Sequence, residues 1–570
     1  MCPEEPTLAS CWAGAMRVVS VGFPASGVAL GGIGTGSIEI RPDGRLYEWL
    51  IFNNKPWSGY GEPEFPMGPD DLVFALRARA PGEEPVVRLL QTGIWRDREG
   101  LCASYRSCGG CVIDPYHTPW VRGVERIEFD GRPPIARLRY ADSAFDELGL
   151  CVELEAFSPI IPGNLRSSSL PVAVFRFRLR NISRHRLELA LMALSKNPFS
   201  SVEGSIPKNR GVQTGEFTGI EFLGEGVSPH HGMYRGSMAM GFVGGADSLA
   251  SFLVSGERGA VEVIRRVLVD FRGDGVVEGS PDAQGPGELY GVVTRRVSLG
   301  PGEEAEVTLV LAWFFPNHVD YKARVLGHYY ENMFSSAVEV AGYVSKHVDL
   351  LRERVRAFVD AIYDATYPEW IKDLVSSQVS TLAKSTWLTR EGVFAVWEGG
   401  PGCCGLNTVD VALWGFVGVA LLFPDLVRRA VEHIASLILE PGKSPFYEIY
   451  ALAFPENMRL YRELLARDPS IQHDVEKFRR AVKSIVEKTG RDPRGRVPHL
   501  LHGTIDRVDG YDRVDLMPEF LLLVALVYRW TGDVGFLKRL WPRVKEVVDA
   551  VLRQHDDAGL KLPYHAPPSG

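Results

Sequence analysis

Only six glutamines and eight cysteines occur among the 570 residues, and no apolar run is long enough to cross a bilayer. Cysteine this sparse excludes a disulfide-stapled scaffold. The densest group, Cys102, Cys108 and Cys111 with His117 in CASYRSCGGCVIDPYH, holds a single C-x2-C pair. A structural zinc site wants two such pairs, so loop thiols and no metal are expected there. A spanning helix needs about 20 consecutive apolar residues, which excludes a transmembrane helix. The opening MCPEEPTLASCWAGAMRVVS has no basic segment leading into an apolar core. No signal peptide is therefore expected, and the cytoplasm is the expected compartment. Lysine and arginine, 63 together, are outnumbered by 71 acidic residues for a net charge of −8, and no basic run stands out. Nucleic acid is not an expected partner. Few glutamines beside many arginines is a balance that leans towards a thermophile.

What is present is ordinary globular material in a chain too long for one core, so two domains are expected. From about residue 18 to 315 the pattern is short and two-fold. In VFRFRLRNISRHRLELALMALS, Phe175, Phe177 and Leu179 alternate with Arg176, Arg178 and Arg180, the signature of a half-buried strand. EVTLVLAWFFPN reads as another strand, and RPDGR, FDGRPP, RGDG and GPGE are turn signals. Many strands and few helices predict a large antiparallel β-sandwich over residues 1–320. Beyond His318 the spacing becomes three and four. A helical linker is expected over 321–366 and an all-helical domain over 367–570, with helices at 369–388, 408–422, 426–439, 471–487, 517–531 and 534–554.

The glycine-rich ALGGIGTGSIEIRPDGRLYEW does not match G-x-G-x-x-G, and a strand and turn follow it rather than a helix. Gly32, Gly34 and Gly36 are expected to form a tight loop that another segment approaches closely.

Two stretches carry acids suited to chemistry. In AVWEGGPGCCGLNTVDVALWG, Glu398 follows Trp397 in a Gly-rich loop that also holds Cys403 and Cys404. An indole beside loop carboxylates is a common sugar-binding arrangement, although a solvated loop glutamate reads the same way. Asn407 or Thr408 is a suitable N-cap, and Asp410 in the first turn complements the helix dipole. In GRVPHLLHGTIDRVDGYDRVDLMPEFLLLVALVYRWTGD, Asp515 precedes an apolar helix and is open to the same capping account. Asp506, Asp509, Asp512 and Asp515 do not keep the register of a calcium loop. His499 and His502 lack the accompaniment of a zinc helix, so a hydrogen-bonding histidine is expected. Together these stretches supply a pair of loop carboxylates, each placed before a helix, which is what glycoside hydrolysis requires.

At these residues the sequence resembles glycoside hydrolase family 116, the group of non-lysosomal glucosylceramidases and archaeal β-glucosidases. LGGIGTGSIEIRPDGRLYEWLIFNN is similar to the family's N-terminal opening. WEG…NTVDV resembles its L-E-G…N-T-Y-D-V nucleophile segment, RVPH its V-P-H, and VDLMPEFLLLVALVYR its K-D-L-N-P-K-F acid/base segment. The resemblance implies a β-sandwich followed by an (α/α)6 barrel, no cofactor, and retaining hydrolysis of β-glucosides or glucosylceramide-like lipids. It implies Glu398 as nucleophile and Asp515 as general acid/base. Asp410, His499, Trp397, Asn407, Thr408 and Arg513 would line the sugar site. The mechanism calls for carboxyls about 5–5.5 Å apart, with Asp515 raised in pKa and Glu398 ionised.

Three departures qualify the resemblance. GGPGCCGL replaces an aromatic- and Arg-bearing spacer, and Arg513 stands where a small polar residue is usual, which is compatible with an anionic substrate. The chain also reaches HDDAGLKLPYHAPPSG with about half the helices of a closed barrel. That predicts an incomplete (α/α)6 domain with exposed apolar faces, prone to self-association or to completion by a second chain. Two rivals to the hydrolase stay open: a carbohydrate-binding or assembly protein of the same fold, and an inverting or phosphorolytic enzyme.

Overall fold

The structure is a computed structural model that describes residues 11, 18–20, 26–54, 65–92, 121–254, 259–320, 322–399, 405–444, 446–506, 513–556 and 559–560. The thiol cluster at 102–117, Cys403, Cys404, Asp509 and Asp512 lie outside the described residues. The chain forms two compact units: Met1–Lys55 with Pro63–Val319 and Ala323–Glu391, and Pro56–Glu62 with Asp320–Lys322 and Gly392–Gly570.

The first unit is the expected sandwich. A ten-stranded sheet is centred on Leu150–Phe157, Val172–Asn181, Glu304–Phe314 and Ser237–Val243, each antiparallel to the next. A six-stranded sheet is centred on Glu288–Leu299, Leu187–Lys196 and Leu72–Arg79. Because side chains alternate across a strand, Phe175, Phe177 and Leu179 turn to one face and are fully buried. Phe74 of the second sheet meets Phe175 and Phe177 at 5.1 and 5.2 Å between ring centroids. Each of these side chains contributes about 1.5–3 kcal/mol by leaving water.

The opposite face of the large sheet is not solvent. Helix α1, Ala337–Tyr363, lays Val340, Ala341, Val344 and Val348 over Val172, Val174, Val310 and Ala312. The stretch expected as a linker thus includes a helix of the first unit. Farther along the sheet, Arg176 is held by Glu306 and by Asp349 at 2.6 Å, and Glu155 takes Arg352 (2.6 Å) and Arg356 from α1. Arg176 is consequently buried rather than solvated. The second sheet has its own cover, the helix Gly259–Asp274, whose Val267, Leu268 and Phe271 are buried. A disulfide joins Cys11 to Cys151.

The glycine-rich segment behaves as its composition predicts. Gly34 donates to Thr386 Oγ1 at 2.9 Å, its carbonyl meets His328 Nδ1 at 2.7 Å, and Trp313 Nε1 donates to Thr35 O at 2.8 Å. Gly34 has φ +68°, and a Cβ placed there would lie 2.5 Å from the Leu388 backbone nitrogen. Gly34→Ala is therefore expected to cost about 2–4 kcal/mol from left-handed strain plus overpacking. Gly82→Ala has a similar φ with nothing within 4 Å. It should cost only about 1–2 kcal/mol. Urea unfolding of the two variants checks the difference.

The second unit is helical. Helix α2, Val409–Leu422, packs against α3, Leu516–Thr531, which packs in turn on α4, Val534–His555. Helices Pro424–Ser436, Tyr447–Ala453, Pro455–Arg467 and Val475–Thr489 complete its described part. The expected helix at 369–388, in the first unit, is broken into Glu369–Gln378, Ser380–Lys384 and a strand, Thr386–Leu388. No helix among the described residues is long and apolar enough to cross a membrane.

Candidate active site

The site is built from the N-termini of α2 and α3 and the chain leading into each. A short strand, Phe394–Val396, runs out into Trp397 and Glu398. Three backbone bonds fix this exit: Glu398 N to Gly405 O at 3.0 Å, Leu406 N to Leu501 O at 2.9 Å, and Val409 N to His499 O at 2.8 Å. Asn407 is the pin. Its Oδ1 accepts from Val396 N at 2.9 Å and its Nδ2 donates to Phe394 O at 3.1 Å, with the backbone at φ 49°. A buried side chain that satisfies two backbone groups and tolerates a positive φ explains why asparagine stands here. Its amide bonds the protein backbone at both ends, which fixes the loop that carries Glu398.

Thr408 occupies the N-cap position of α2 but makes no capping bond. Its hydroxyl instead donates to Glu398 Oε2 at 2.9 Å, leaving Glu398 itself exposed. Asp515 sits at the N-cap of α3 and likewise does not cap, its backbone already helical at φ −74° and ψ −29°. The capping account therefore fails for both residues. Their polar atoms are committed to side chains around the site.

Arg513 ties the two helix starts together. Its Nε and Nη2 fork Asp515 at 3.2 and 2.6 Å, and its Nη1 donates to Asp410 Oδ2 at 2.6 Å. His499 Nε2 lies 3.4 Å from both Asp410 Oδ1 and Arg513 Nη1. Every nitrogen of the guanidinium thus faces a carboxylate. An Arg with two anionic partners is already neutralised, so the cation gives no reason to expect an anionic substrate. Trp397, the residue before Glu398, is 3% exposed and packs into the interior of the second unit.

One expectation is corrected here. Asp515 was to titrate high, yet against the effect of partial burial the hydrogen bond and charge of Arg513 hold it below the ordinary aspartate value. Within this cluster the carboxyl pushed upward is Glu519, to about 7, by burial, then by the Asp515 and Asp410 charges. The sequence reading missed it. The available signal was the spacing of four from Asp515, at a position where the quoted family pattern has lysine.

A model of the family described as beta-glucosidase 2, glycosyl-hydrolase family 116 N-terminal, matches residues 27–351. Those residues lie before the site. Among solved structures the chain is similar to one described as a kojibiose phosphorylase from the human microbiome, at 7% identity and TM-score 0.39. That likeness covers 94% of this chain and 59% of the other. It is also similar to a family GH92 α-mannosidase from Bacteroides thetaiotaomicron, at 12% identity and TM-score 0.32, covering 92% of this chain and 62% of that one. The chain thus spans about three fifths of the length of these two proteins. Scores of this size assign no chemistry, and the architecture rests on the strands and helices themselves.

Proposed function

This chain belongs to glycosyl-hydrolase family 116, and on that footing we propose that it is a retaining β-glycosidase acting on β-glucosides. Aryl, alkyl or oligosaccharide β-glucosides and glucosylceramide-like lipids are the substrate class. The observation that carries the reading is the network itself: Glu398 held by Thr408 at one helix start, and Asp515 joined through Arg513 to Asp410 at the other. Glu398 attacks the anomeric carbon as the bond to the leaving oxygen breaks, and Asp515 supplies the proton that oxygen takes up. Water then attacks the glycosyl-enzyme, giving its proton to Asp515, and configuration is retained. His499 and Asp410 hold sugar hydroxyls. The neutralised Arg513 favours a neutral sugar over a uronate.

A sugar-binding protein without turnover is the second reading. The Arg513 fork favours it, because it stabilises Asp515 in the form that cannot donate.

Incubation with a 2-deoxy-2-fluoro β-glucoside carrying a good leaving group tests the first reading. Peptide mass spectrometry should find a stable adduct on Glu398. Turnover with inverted product and no adduct would sink it, and binding of glucose without turnover would favour the second.

We further propose that the apolar faces of the second unit are covered by self-association or by a second chain. On α2, Val411, Trp414, Val417 and Leu421 are all exposed, Trp414 by 79%, and their spacing puts them on one face. Light scattering of the purified chain should give a mass above that of one chain, and Trp414→Lys should lower it. A monodisperse monomer would leave only the second-chain form of the proposal.

A further inference from the structure

Glu519 is the carboxyl of this network that the mechanism above leaves unused. It lies four residues after Asp515 in α3, and its amide donates to Asp515 O at 3.0 Å. That spacing places the two side chains on one face of the helix, one turn apart. Its Oε2 is buried and has no hydrogen-bond partner among the described residues. An ionised carboxylate there would lose water without gaining a donor. The charged and titratable groups acting on it are Asp515 on its own helix, Asp410 on α2, Arg513 from the chain entering α3, and His499. Arg513 and His499 oppose the shift by charge alone, since the Arg513 nitrogens donate to Asp515 and Asp410 and none to Glu519.

We propose that Asp515 and Glu519 work as a pair sharing one transferable proton, with Glu519 holding it at rest and Asp515 delivering it to the substrate. The inference rests on the glycosidase reading, and Glu519 is in it a positioning residue for the general acid. The O–H bond at Glu519 breaks as one forms at Asp515, leaving Glu519 the carboxylate. Asp515 then protonates the departing glycosidic oxygen while Glu398 bonds to the anomeric carbon. Hydrolysis of the glycosyl-enzyme returns a proton from water to Asp515 and from there to Glu519, so no other donor is consumed. The pair resolves the difficulty posed by Arg513: the acid is kept ionised at rest, and its proton is stored one turn away.

The test is the pH dependence of kcat/KM for two β-glucosides, one with an alkoxide leaving group and one with 2,4-dinitrophenolate, which needs no acid. In the wild type the alkoxide substrate should lose activity as pH rises through about 7, where Glu519 gives up its proton. In E519Q that limb should move to lower pH, and the alkoxide substrate should suffer a rate loss about tenfold or more larger than the activated one suffers. E519D, which keeps an acid, should restore the limb. An unmoved limb, or equal losses on both substrates, overturns the proposal. Infrared titration reads the proton without turnover. The protonated carboxyl absorption at about pH 6 should lose one component in E519Q, and in D515N that component should titrate at lower pH because one neighbouring anion is gone. A band that ignores D515N overturns the shared proton. The band with its D515N shift, in a chain that cleaves neither glucoside, would overturn the glycosidase reading and leave the proton pair standing.

Discussion

Glu398→Gln is expected to remove turnover, lowering kcat on an aryl β-glucoside by about 10⁴-fold or more, the scale of losing a covalent nucleophile. The amide keeps the shape and an oxygen for the Thr408 hydroxyl to donate to. The bonds that shape the loop run through backbone groups and Asn407, not through the Glu398 side chain. Thermal stability should therefore stay close to wild type while the fluoroglucoside adduct disappears. Retained hydrolysis above about a hundredth of wild type would remove Glu398 from the nucleophile's role, since loss of a covalent nucleophile leaves far less.

Asp515→Asn should cost about 10²–10⁴-fold on substrates whose leaving group needs a proton, the usual share of general acid–base catalysis. With 2,4-dinitrophenolate leaving, formation of the glycosyl-enzyme should be largely spared and its breakdown slowed, because Asp515 also takes the proton of the attacking water. A burst of dinitrophenolate followed by slow turnover is the expected trace. The variant also disturbs its neighbours in a fixed direction. Arg513 keeps Asp410 but loses the fork, and Glu519 loses an anion that raised its pKa. Equal losses on both substrates, with no burst, would mean that Asp515 shapes the site without handling a proton.

Much of this molecule is legible along the chain. Alternation at 175–180 identifies a strand because β side chains point to opposite faces in turn, and the inner set is the apolar one. Gly32, Gly34 and Gly36 mark a segment pressed against others because only glycine leaves room for the Leu170, Leu388 and Leu50 backbones in turn. The carboxylates before two apolar helices, with the motifs around them, single out the stretches that meet in the second unit. These features depend on residues a few positions apart, so local order suffices to express them.

The tertiary structure decided what those local patterns could not contain. A periodicity says which face of an element is apolar and is silent on what covers it. Arg176 therefore read as solvated, although α1 and Glu306 enclose it from residues more than a hundred positions away. The helix over 259–274 was hidden in a region of strands for the same reason: its partner is the outer face of a sheet assembled from distant strands. In the site, Thr408 and Asp515 both read as helix caps, the local solution for their oxygens. Folding gave each of them a side-chain partner instead, Glu398 and Arg513. The opposite pulls on Asp515 and Glu519 arose last, because Arg513 reaches Asp410 across 103 positions and leaves Glu519 with none of its donors. Electrostatic partners are chosen by distance in space, and sequence spacing records only those within a turn or two of a helix.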